Sequence, residues 1–215
     1  MSARTGDAAL RAVLWDFGGV LTTSPFESFA RYEAGHGLPA GFIRRLNSTN
    51  PDANAWAALE RGEVDIDTFA RRFEAEAADS GGCLEAPAVL AALRGEVRPE
   101  MVDAVRRCRE RLKTGLLTNN FVMDDGPADH GSILEHFDVV LESSRAGCRK
   151  PDPRFYEMAC ERLEVHPSEA VFLDDLGVNL KPARAMGMRT IKVTDPATAL
   201  DELEAIVGFA LRSRP

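Results

Sequence analysis

The chain has 215 residues, 45% of them apolar and 28% charged, enough for one domain with a sizeable interior or for a core with a modest insertion. A formal charge of −8 and a pI near 5.1 exclude an extended basic footprint, so neither nucleic acid nor a membrane surface is an expected partner, and an anionic substrate would need a locally positive site. No apolar leader core stands in the first ten residues and no later stretch reaches membrane-span length, so a cytoplasmic protein is expected, with Cys83, Cys108, Cys148 and Cys160 reduced and ligating nothing.

Ala12, Val13, Leu14 and Trp15 form a short β-prone apolar run that stops at Asp16, and Gly18 and Gly19 follow to allow tight turning. Asp16 then ends a buried strand, where it can cap a turn, ligate a metal or act as a nucleophile. From Ser24 to Arg98 the pattern is helical and strand-poor. Pro25 opens a segment carrying Phe26, Phe29 and Tyr32, Ile43 and Leu46 mark another, and Asn54 to Arg61 reads as a short helix closed by Gly62. Asp65 is a suitable N-cap for a helix whose face would be Ile66, Phe69, Ala70 and Phe73, and Pro87 to Leu93 adds a last one.

Beyond this region helices and short apolar strands alternate. Pro99 suits a first helical position, with Met101, Val102, Val105, Cys108 and Leu112 as the apolar face. Strands are predicted at Gly115–Thr118, Val139–Leu141, Ala170–Leu173 and Thr190–Val193. Helices are predicted at His130–His136, Pro153–Leu163, Val178–Met186 and from Asp195 onward, with Leu200, Leu203, Ile206 and Val207 facing inward. The fold class is therefore α/β, a Rossmann-like parallel sheet with helices on both faces plus an inserted all-helical segment.

Four polar clusters follow the predicted strand ends: Asp16, Thr118 with Asn119, Lys150, and Asp174 with Asp175. In a parallel sheet all carboxyl ends point one way, so these residues can share one crevice. Two carboxylate positions suit a hard cation such as Mg²⁺, Thr118 can donate to a phosphoryl oxygen, and Lys150 supplies positive charge. Adjacent acids directly after Val171, Phe172 and Leu173 are costly unless a cation or donors neutralise them.

The order and spacing of these clusters resemble the haloacid dehalogenase-like superfamily. Arg149-Lys150-Pro151-Asp152-Pro153 and the segment from Val171 to Arg184 are especially similar to the N-terminal phosphatase domain of bifunctional epoxide hydrolases. The resemblance implies a hydrolase core at 11–23 and 99–215 with a helical cap at 24–98 that closes over the site. It implies Asp16 as nucleophile and Mg²⁺ ligand, Asp175 as second carboxylate ligand with Asp174 in support, Thr118 and Asn119 on the phosphoryl group, and Lys150 neutralising Asp16 and the transferred oxygens. The substrate would be a small phosphorylated metabolite.

One position departs from that pattern. The family's second Asp, which protonates the leaving group, is here Gly18, whose carbonyl can still face the metal but which moves no proton. A 2-haloacid dehalogenase and a non-catalytic module binding a phosphorylated ligand or a partner therefore stand as alternatives to a phosphatase.

Overall fold

The computed structural model describes residues 9–93, 95–120 and 132–212. Five parallel strands, β1 (Ala12–Trp15), β2 (Lys113–Thr118), β3 (Val139–Glu142), β4 (Ala170–Asp174) and β5 (Arg189–Lys192), form one sheet in the order β3-β2-β1-β4-β5. β1 is central, and its four residues are all buried because each face carries helices. Val13 and Trp15 point to the face packed by α6 (Pro99–Arg109) and α10 (Pro196–Val207), while Ala12 and Leu14 point to the face packed by α8 (Pro153–Leu163) and α9 (Gly177–Ala185).

Between β1 and β2 the chain builds α1 (Pro25–Gly35), α2 (Phe42–Ser48), α3 (Ala55–Glu60), α4 (Ile66–Asp79) and α5 (Ala86–Ala92) around an apolar cluster of their own. The Trp56 ring meets Phe29, Phe69 and Phe73 edge-on at centroid distances of 5.6, 5.5 and 5.5 Å. The helix starts use local caps: Ser24 accepts from Phe26 N–H, Asn54 from Ala57 N–H, and Asp65 from Thr68 N–H. The insertion leaves and returns through paired backbone, since Thr22 bridges Val97 antiparallel, Thr23 N–H donates to Glu96 O at 2.8 Å, and Arg98 N–H donates to Leu21 O at 2.8 Å.

Two expectations need correction. Ile66 is 38% exposed, because as the first residue of α4 it lies beyond the reach of the cluster, and the buried face is Phe69, Phe73 and Ala77. A short helix α7 (Ser143–Ala146) directly after β3 was not anticipated, since its Ser-Ser-Arg-Ala sequence has no apolar period. Of the helix predicted at 130–136, residues 130 and 131 lie outside the described residues and 132–134 are helical.

Candidate active site

Asp16 immediately follows β1, and its N–H donates to Leu173 O at 2.9 Å, so the ladder with β4 continues one residue past the strand and fixes the carboxylate at the sheet's edge. Thr118 ends β2 and Asp174 ends β4, the two strands flanking β1. Lys150 comes from the turn before α8, reaching a position where only 1% of its surface is exposed. Its Nζ lies 2.7 Å from Asp16 Oδ1 and 2.8 Å from Asp174 Oδ2, so one ammonium joins residues from β1 and β4.

Both Asp174 oxygens are engaged. Leu176 N–H donates to Oδ1 at 2.8 Å, and Asn179 Nδ2 lies 3.1 and 3.0 Å from Oδ1 and Oδ2, in addition to the lysine. Asp175 is less covered, with the Ser24 hydroxyl 3.5 Å from its Oδ2. Carboxylate oxygens of Asp16, Asp174 and Asp175 all lie within 4.8 Å of one another.

The electrostatics follow from this crowding. Burial, helped by the charges of Asp174 and Asp175, pushes Asp16 well above the usual carboxylate range against the pull of Lys150. Burial, then the neighbouring Asp174, raises Asp175 to about 6. Burial alone would lower Lys150, but attraction to Asp16 and Asp174 outweighs it and the ammonium is stabilised.

Asn119 is expected on the phosphoryl group, and its side chain is engaged by the lysine's main chain. Its Nδ2 donates to Lys150 O at 3.0 Å and its Oδ1 accepts from Lys150 N–H at 2.9 Å, a two-point clamp on the lysine's main chain. Gly18 has an ordinary backbone conformation, and a Cβ there would stand 3.2 Å from Pro25 Cγ, so the first residue of α1 already occupies the space beside it. Gly19 is the more constrained of the pair. Its φ is +80°, and a Cβ would come within 2.3 Å of Asp175 Oδ2.

Several contributors were not singled out from sequence. Asn179 stands one helical turn beyond the acid pair, a spacing that could have revealed its hold on Asp174. Ser24 and Arg98, whose guanidinium donates to Gly19 O at 2.7 Å, carry no sequence signal, because only the insertion's return path brings them to the loop after Asp16.

The description haloacid dehalogenase-like hydrolase matches residues 10–187, most of the chain and every residue of this cluster. The chain is a haloacid dehalogenase-like hydrolase. Over 96% of its length this hydrolase is 37% identical to acyl-CoA dehydrogenase family member 10 of Mus musculus and 34% identical to bifunctional epoxide hydrolase 2 of Sus scrofa, so the expected kinship with the epoxide hydrolases is present. It spans only 20% and 40% of those relatives' own lengths. Its fold is shared with a haloacid dehalogenase family enzyme of Bacteroides thetaiotaomicron crystallised with magnesium and inorganic phosphate, at a TM-score of 0.59 and 20% identity, covering 86% of this chain and 94% of that one.

Proposed function

We propose that this hydrolase is a Mg²⁺-dependent phosphatase of a small phosphorylated metabolite, working through a phospho-Asp16 intermediate. The observation that carries the reading is the charge balance of the cluster: three buried or half-buried carboxylates meet one ammonium, leaving two negative charges that a divalent cation would neutralise. Burial first, and the neighbouring carboxylates after it, raise the proton affinity of Asp16 and Asp175 at the same place.

Asp16, Asp175 and the Gly18 carbonyl would hold the cation, with Asp174 in support because its oxygens are already occupied. Magnesium would supply charge neutralisation to the transferring phosphoryl group. Asp16 Oδ1 is held by Lys150 and by Phe17 N–H at 2.7 Å, which leaves Oδ2 to attack phosphorus. The phosphorus–ester oxygen bond breaks, the alcohol oxygen leaves with the bonding pair and takes a proton from solvent, and water then hydrolyses the acyl phosphate to regenerate the Asp16 carboxylate and release phosphate and a proton. Thr118 and the Asn119 backbone would orient the phosphoryl oxygens, Lys150 would offset their charge, and the Asn119 side chain would keep Lys150 in place. Residues 24–98 would act as the cap over a core made of 11–23 and 99–215.

Magnesium-dependent release of phosphate from 4-nitrophenyl phosphate, abolished in Asp16→Asn, tests the reading. Halide release from a 2-haloacid without magnesium would instead identify a dehalogenase. Failure of magnesium and aluminium fluoride to form an adduct at Asp16, with no halide release either, would favour a binding module. Gly18 adds a sharper expectation: without a positioned acid, worth about 10²- to 10⁴-fold, aryl and acyl phosphates should outpace simple alkyl phosphates. Gly18→Asp should narrow that ratio of kcat/KM most when combined with Pro25→Ala, which clears the space that the proline ring fills.

A further inference from the structure

The turn that carries Lys150 is gripped from two sides. On the core side Asn119 clamps the lysine's main chain, and Asp152 N–H closes the turn onto Arg149 O at 2.8 Å. On the other side Arg149 reaches into the helical insertion. Its guanidinium lies 2.5 Å from Glu60 Oε2 at the end of α3 and also donates to the Pro51 carbonyl. The two side chains are only 17% and 11% exposed, so this pair is sheltered from the screening that makes surface pairs weak.

The same seam holds at neighbouring points. The Ser143 hydroxyl on α7 lies against Glu60 O and accepts from Asn120 N–H at 3.0 Å, next to the Thr118–Asn119 segment. Gly62 turns with a φ of +70°, and a Cβ there would come within 2.5 Å of Ser144 O, so the end of α3 approaches α7 as closely as backbone allows. Trp56, at the centre of the insertion's ring cluster, donates its indole N–H to Glu60 Oε1 at 3.0 Å. Glu60 therefore links the insertion's interior to the residue preceding Lys150.

We propose that Arg149 and Glu60 are positioning residues for Lys150, their ion pair making the placement of its ammonium between Asp16 and Asp174 depend on docking of the helical insertion. The proposal rests on the phosphatase reading for the role of Lys150. Neither residue touches the reacting atoms. They act by holding the turn from which the lysine side chain projects the other way, and misplacement on the order of 1 Å costs about 100-fold in such reactions.

The test is a mutant cycle read by kcat with 4-nitrophenyl phosphate and magnesium. Arg149→Gln and Glu60→Gln should each lower kcat about 10- to 100-fold, and together by no more than either alone, since each breaks the same link. In a Lys150→Ala background, Arg149→Gln should change kcat less than twofold, which mere adhesion between insertion and core would not produce. Arg149→Lys, which keeps the charge but cannot serve Glu60 and Pro51 together, should fall between wild type and Arg149→Gln. It also provides a folded variant should the glutamine substitutions melt the protein. Folded single variants with kcat within threefold of wild type, or a full Arg149→Gln loss on top of Lys150→Ala, would overturn the proposal. Lys150→Ala within threefold of wild type would overturn the catalytic role of Lys150 itself, a failure that this single variant reports apart from Arg149.

Discussion

Around Lys150, three carboxylates, an ammonium and two carboxamides are ordered by directional contacts, each within hydrogen-bonding distance of a named neighbour. Around Trp56, by contrast, Phe29, Phe69 and Phe73 are ordered by ring packing in the insertion's own apolar cluster. The first arrangement gains little net stability, because desolvating charges offsets most of their attraction, and it is the kind of place that performs chemistry. The second gains stability from burial and tolerates no loss of volume. Substitutions should therefore separate the two: those around Lys150 lose function and keep the fold, those around Trp56 weaken the fold and keep the proposed cation site.

The largest expected effect is at Asp16. Asp16→Asn keeps the shape and removes the proposed nucleophile, so turnover of 4-nitrophenyl phosphate should fall by about 10³-fold or more while far-ultraviolet circular dichroism stays as in wild type. Activity within tenfold of wild type in the folded variant would remove Asp16 from the chemistry.

Phe73→Ala should act in the opposite sense. Phe73 is fully buried between Trp56 and Phe69, and truncation should cost about 3–5 kcal/mol, seen as a lower urea midpoint. Magnesium affinity of the folded protein should remain, because no ring of this cluster supplies a cluster carboxylate. A parallel loss of magnesium affinity would mean that the two regions are coupled beyond the proposed Arg149–Glu60 link.

Removing magnesium addresses the site without mutation. A cation bound only to the folded chain and present at 100 times its Kd contributes about 2.7 kcal/mol, so a chelator should lower Tm measurably. Asp175→Asn should shrink that shift, and a chelator response identical to wild type would remove Asp175 from the ligand set. The smallest effect is expected at the exposed cap of α4. Asp65→Ala loses the bond from Thr68 N–H, 2.7 Å from Oδ1, and should cost about 1 kcal/mol without touching kcat.

How much was legible beforehand differs between the regions for a physical reason. The run Ala12–Trp15 is apolar throughout because both sheet faces are covered, and such a strand announces itself and its terminal Asp16 without any long-range information. Asp65 was legible as a cap because the bond it accepts lies within three residues. Ile66 was misassigned because helical period alone does not say where a helix runs off the edge of its cluster. α7 went unseen because Ser143–Ala146 is held by contacts with β3 and the insertion, not by its own pattern.

Residue pattern alone carried the parallel α/β order and the helical insertion and marked Asp16, Thr118, Lys150, Asp174 and Asp175 as candidates, since strand-end position and residue chemistry are local properties. Tertiary contacts set the partners of these side chains: Asn119 turned onto Lys150, Asp174 saturated by Asn179 and Leu176, Gly19 flattened against Asp175, and Arg149 drawn across to Glu60. Those assignments depend on which partner reaches each polar atom first in three dimensions, and these long-range pairings leave no period or spacing in the chain.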